Sequence, residues 1–117
     1  MQTDPKRYDL EDRTFKFAKR VIAYVDKLQK TVSSIETGKQ LVRSAGSIGA
    51  NYIEANEALS KKDFVMRIKI SRKEAKESNY WLRLTEVKED GASEKDALVQ
   101  EATELTKIFG AIVEKCK

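Results

Sequence analysis

Histidine is missing from this 117-residue chain, and cysteine and proline occur once each. Without histidine the chain lacks the commonest general base and the commonest neutral metal ligand. With one cysteine it has neither a Cys/His zinc site nor an internal disulfide framework. The single thiol, Cys116, sits at an apolar position and reads as an inert packing group that suits a reducing cytosol. Aromatic residues are only 8% of the chain, a poor supply for a sheet protein. Long hydrophobic runs are also missing. The longest, Val21-Ile22-Ala23-Tyr24-Val25, falls far short of the roughly 18 to 20 residues a membrane helix needs. The segment Met1 to Tyr8 is polar, with Asp4 inside it and Asp9 beside it, and reads as neither a secretory signal nor an acid-poor transit peptide. The expectation is a cytoplasmic protein without membrane contact.

What is present is charge and helix-forming residues. Charged residues make up 36% of the chain and hydrophobic residues 40%, with Lys plus Arg at 23 against 19 for Asp plus Glu and a net charge of +4. That balance permits a nucleic-acid partner without demanding one. The length fits a single domain over residues 1–117, and the abundance of Ala, Leu, Ile, Glu and Lys predicts an all-α fold.

Four segments carry apolar residues at helical spacing. The first spans about 9–32, with Phe15 and Ile22 in one row and Ala18, Val21, Val25, Leu28 and Val32 in another. Thr37-Gly38-Lys39-Gln40 fits a capping box, which places the second helix at about 38–59 with a core row of Leu41, Ala45, Ile48, Tyr52, Ala55 and Leu59. Ser60-Lys61-Lys62-Asp63 repeats the box logic and opens a third helix at about 62–89; one long helix kinked at Ser60 is the alternative. Its inward row is Phe64, Ile68, Ser71, Ala75, Ser78, Leu82 and Thr85, flanked by Trp81, Leu84 and Val87. Asp90-Gly91-Ala92 reads as a stop and Ser93 to Asp96 as the next cap, so the fourth helix covers about 93–116 with Leu98, Ala102, Leu105, Phe109, Ile112 and Cys116 inward. Matched helices joined by short turns pack most simply as an antiparallel up-down-up-down four-helix bundle.

Arg43 to Asn51 places Gly46 and Gly49 inside a strong helical pattern, where each costs roughly 0.5 to 1 kcal/mol against Ala. Close approach of a neighbouring helix explains them better than a phosphate-binding turn, whose spacing is absent. Ser44, Ser47, Asn51 and Glu54 form a polar row with possible partners in Arg72, Lys73, Glu74, Lys76 and Glu77. An architectural role is expected for Ser47, Gly49, Asn51 and Glu54. Paired carboxylates such as Glu54 with Glu74 or Glu77 would be the enzymatic alternative, but a di-metal site of the usual pattern needs histidines. No catalytic residue, metal or cofactor is therefore expected.

Positive charge concentrates on the first and third helices, most strongly between Lys61 and Lys76. Concentrated charge is what phosphate binding requires; the plainer explanation is that these are the solvated faces of long helices. The candidate nucleic-acid contacts are Arg13, Lys16, Arg20, Lys61, Lys62, Arg67, Lys69 and Lys73, some of which pairs such as Lys73 with Glu77 could consume.

Three motif groups carry a family resemblance. They are Tyr8-Asp9-Leu10 with Arg13-Thr14-Phe15 and Phe17-Ala18; Gln40 to Ala45 running into Ser47-Ile48-Gly49-Ala50-Asn51 with Glu54-Ala55; and Lys62-Asp63-Phe64 through Lys73 to Ser78 and on to Tyr80-Trp81-Leu82. On these the chain resembles the 23S rRNA intervening-sequence protein family of small bacterial four-helix bundles. It is also similar to the accessory variability protein of diversity-generating retroelements, a pentameric bundle that binds nucleic acid and a reverse transcriptase. The departure is Glu54-Ala55, where many relatives carry Glu-Gly. The resemblance implies a four-helix bundle assembled as a ring of five, with no enzymatic activity assigned. The expected function is a non-enzymatic homo-oligomer, a homopentamer, that binds structured RNA or DNA, with a nucleic-acid-processing protein as a further partner. A protein-interaction scaffold is the alternative.

Overall fold

The computed structural model describes residues 5–117, with side chains from Asp9 onward, so the Tyr8 ring of the first motif lies outside the described side chains. Four helices account for nearly all of it: α1 Pro5–Asp26, α2 Val32–Asn56, α3 Lys61–Leu84 and α4 Glu89–Lys115. No strand occurs among the described residues. The chain is all-α, as its composition predicts.

Side-chain partners run in opposite order along each neighbouring pair of helices. Arg13 and Arg20 of α1 meet Glu101 and Glu94 of α4. Thr14 and Val25 of α1 lie beside Gly49 and Gly38 of α2. Arg43 and Asn51 of α2 meet Glu77 and Arg67 of α3, and Arg72 and Asn79 of α3 approach Gly110 and Thr103 of α4. The helices therefore run up, down, up and down, with α4 closing back onto α1, in a body of 44 × 23 × 21 Å.

The core is built from Leu10, Phe17, Val21, Tyr24 and Leu28 of α1 and its following turn, the expected row Leu41 to Ala55 of α2, Ile68, Ala75 and Leu82 of α3, and Leu98, Ala102, Leu105, Phe109 and Val113 of α4. The rings of Tyr52 and Phe109 meet across it at 5.7 Å. On α1 the second expected row holds at Val21 and Leu28, which are buried, and at Val25, which packs against the core, whereas the first does not face inward. Phe15 is 62% exposed and Ile22 and Val32 are also exposed, while Phe17, Tyr24 and Leu10 point inward. The sequence carries two apolar stripes on α1, and α2 and α4 together cover only one.

Helix boundaries differ from the sequence expectation at several ends. The first helix stops at Asp26, not Val32, and the second begins at Val32 behind Thr31. Thr31 Oγ1 accepts from Ser34 N at 3.1 Å and Ser34 Oγ accepts from Thr31 N at 3.0 Å. Serine thus fills the position usually held by Glu or Gln, and the better consensus match at Thr37 to Gln40 lies inside the helix. α2 ends at Asn56, which leaves Leu59 at 98% exposed in the turn instead of in the core. Ser60 caps α3 as expected, accepting from Asp63 N at 3.1 Å. α3 ends at Leu84, not near Glu89, and Asp90, Gly91 and Ser93 lie within the opening turns of α4. Gly91 has no left-handed backbone. Glu89 and Asp90 instead favour the positive end of the α4 dipole.

Candidate nucleic-acid interface

The seam between α2 and α3 holds most of the polar motif. Ser78 Oγ donates to Glu74 O at 2.9 Å, Ser44 Oγ lies 2.9 Å from Ser78 Oγ, and Ser71 Oγ donates to Ile48 O at 2.9 Å. Serines at these positions let the helices approach closely while every buried hydroxyl keeps a partner. Asn51 Nδ2 donates to Ser47 O at 2.9 Å, and its Oδ1 accepts from Arg67 Nη1 at 3.1 Å. Gly49 gives α1 room, since a Cβ there would lie 2.9 Å from Thr14 Oγ1. Glu54 is exposed and stands apart from this network, as does the half-buried Ser47 side chain.

Glu74 and Glu77 converge on Arg43, at 3.2 and 3.0 Å, and Glu54 does not join them. Glu74 is buried, and its Oε1 has no hydrogen-bond partner among the described residues; Trp81 Nε1 is in the same state. Among the described residues no three His, Cys, Asp or Glu side chains gather in a way that could hold a metal ion.

The eight candidate cations divide into two groups. Arg13 forms a fork with Glu101 at 2.7 and 2.8 Å, with Glu104 at 3.7 Å, and the bond to Glu101 raises its pKa further above an already high value. Lys16 pairs with Asp12 at 2.8 Å, which raises the pKa of this exposed ammonium. Arg20 pairs with Glu94 at 3.0 Å, and Arg67 bonds Asn51. Lys61, Lys62, Lys69 and Lys73 are exposed and form no ion pair among the described residues. The Lys73–Glu77 pair is not made, because Glu77 turns to Arg43.

α1 and α3 occupy opposite corners of the bundle, since each packs against α2 and α4. Their outer faces point in opposite directions. One chain therefore does not display both sets of positives on a single face, and the unpaired members of the candidate set, Lys61, Lys62, Lys69 and Lys73, all belong to α3. α3 carries eight positive residues against three acids, while α4 carries seven acids against three lysines. Lys62, Met66, Lys69, Lys73, Lys76 and Tyr80 follow one another at spacings of four and three, so they share one line down the solvent side of α3. Shallow depressions beside this line are lined by Lys62, Met66, Lys69, Lys73, Lys76 and Tyr80, among others. Met66, Lys76 and Tyr80 were not among the sequence candidates, although their period places them on the same row.

The described residues thus form a four-helix bundle whose third helix carries a lysine-rich outer face. Residues 6–111 match the family described as 23S rRNA-intervening sequence protein, and the chain belongs to that family. A similar solved structure is a crystal structure of a protein of unknown function from the S23 ribosomal protein family of Bacteroides thetaiotaomicron. It is 30% identical, with a TM-score of 0.78, over 93% of this chain and 98% of that one. No curated protein gives a significant match. No helix among the described residues is long and apolar enough to cross a membrane.

Proposed function

We propose that this protein is a non-enzymatic homo-oligomer of the cytoplasm that binds RNA or DNA through phosphate contacts. The observation that carries the reading is the row of unpaired lysines on α3, where Lys62, Lys69, Lys73 and Lys76 face solvent without carboxylate partners among the described residues. Ammonium groups free of internal pairs can neutralise phosphates and release condensed counterions. Log affinity for a mixed RNA and DNA panel should fall steeply and linearly with log salt. Absence of binding at about 50 mM salt would overturn the reading and favour a protein-interaction scaffold.

A separate feature supports self-association. Phe15 and Ile22 of α1 and Ile35 and Ile53 of α2 are exposed large apolar residues on the α1–α2 flank, and Gly46 lies among them. A Cβ at Gly46 would meet nothing within 4 Å among the described residues, so no contact among them accounts for a glycine in mid-helix. A second copy docking against that flank would. A ring of five, the number the family resemblance implies, would carry a net charge of about +20 and present weak phosphate contacts many times over. Light scattering should show an oligomer at micromolar concentration; a monodisperse monomer would overturn the assembly.

A further inference from the structure

We infer that the outer face of α3 is a track for single-stranded nucleic acid, with Tyr80 as the position on which a base stacks. The inference rests on the phosphate-binding reading above and narrows its ligand. Lys62 and Lys76 lie fourteen residues apart on one helix face, about 21 Å along the axis, with Lys69 and Lys73 between them. Tyr80 continues the line one turn beyond Lys76. It is 50% exposed, and its ring is held against Trp81 at 5.0 Å in an edge-to-face arrangement. Met66, 47% exposed, interrupts the lysines with an apolar surface.

This arrangement suits a flexible strand better than a duplex. α3 is flanked by α2 and α4 in a body 23 × 21 Å across, so it cannot enter a major groove about 12 Å wide as a lone recognition helix does. A rigid duplex brings each strand back to the same side only once per turn of roughly 34 Å. Most of a straight lysine row laid along it would face a groove. A single strand can bend to follow the row, and its unstacked bases can use Met66 and Tyr80, surfaces that the paired bases of a duplex do not reach. Sequence preference should be slight, because lysine contacts phosphate without reading bases.

The test uses the full chain and fluorescently labelled thymidine or uridine homopolymers of about 12 nucleotides, against a duplex of equal length. Single strands of either sugar should bind at least about tenfold more tightly than the duplex at about 100 mM salt. Tyr80→Leu should weaken single-strand binding by about tenfold or more and leave duplex binding unchanged, while Tyr80→Phe, which keeps the ring, should bind like the parent. Tyr80 is half-exposed, and thermal melts of both variants confirm that they fold. The fluorescence of Trp81, the sole tryptophan, should change on titration with the single strand. Equal affinity for duplex and single strand, or Tyr80→Leu binding like the parent, overturns the track and leaves the phosphate reading standing. No binding of either form at about 50 mM salt overturns both.

Discussion

A methyl group added at Gly49 would lie 2.9 Å from Thr14 Oγ1 and 3.3 Å from Thr14 Cβ, whereas at Gly46, three residues earlier, it would meet open space. Thr14 cannot give way freely, because it is buried and donates its hydroxyl to Leu10 O at 2.8 Å. Gly49→Ala should therefore destabilise the chain by about 1 to 2 kcal/mol, overpacking outweighing the gain in helix propensity. Gly46→Ala should stabilise the isolated chain by about 0.5 to 1 kcal/mol. If the flank around Gly46 meets a second copy, the same change should weaken self-association. Urea unfolding beside light scattering reads both signs, and a Gly46→Ala protein that is more stable and equally oligomeric would remove Gly46 from any interface. Asn51→Leu removes the bonds to Ser47 O and Arg67, and should cost about 1 to 3 kcal/mol in the same urea assay. The sequence marks both glycines as helix-interior and attributes them to close packing. It does not separate them, because periodicity locates a face without saying which flank another helix covers.

Among the elements, the inward rows of α2, α3 and α4 were largely legible, because an apolar period of three and four identifies a face wherever only one face is apolar. Helix ends were less legible. Thr31 closes its cap with Ser34, a residue outside the usual consensus, and α3 ends without glycine. At that end Thr85 Oγ1 donates to Leu82 O at 2.6 Å, and Lys95 Nζ of α4 donates to Thr85 O at 2.6 Å. A lysine from another helix thus satisfies a carbonyl near the end of α3, which no local pattern announces. Ser60 was readable because serine precedes a basic turn with Asp63 three residues on. Ser60→Ala should lower stability by about 1 kcal/mol by leaving the Asp63 amide without its cap. Ser60→Asp should retain most of it, and thermal melts of the two variants compare them directly.

For the whole molecule, the sequence indicated which helices are basic but not which corners they occupy. Placing α1 diagonally from α3, with Arg13 and Arg20 turned onto the acids of α4, leaves the unpaired members of the candidate set on one helix, an outcome fixed by packing order and invisible to charge counting. The same topology brings the C-terminal ends of α1 and α3 to one end of the bundle, where Tyr24 OH and Thr85 Oγ1 lie 2.6 Å apart. The two hydroxyls share one hydrogen bond in which either can be the donor. The bond ties α1 to the chain leaving α3, two elements that are not neighbours in sequence. Burial raises the Tyr24 pKa above its ordinary value of 10.0, partly offset by the bond to Thr85. Below pH 10 the phenol is neutral in both folded and unfolded chains, and its contribution to stability is intact. Above pH 10 the unfolded chain ionises first, binds fewer protons than the folded one, and gains relative stability until the folded phenol also titrates. Stability should therefore fall as pH rises past 10 by more in the parent than in Tyr24→Phe, which cannot ionise. At pH 7 the variant should instead be less stable, by about 1 kcal/mol for the lost hydrogen bond. Urea unfolding at pH 7, 9, 10 and 11 measures the difference between the two proteins and cancels the lysine titrations they share. A difference that stays constant across those four pH values would show that Tyr24 does not set the alkaline limit of the fold.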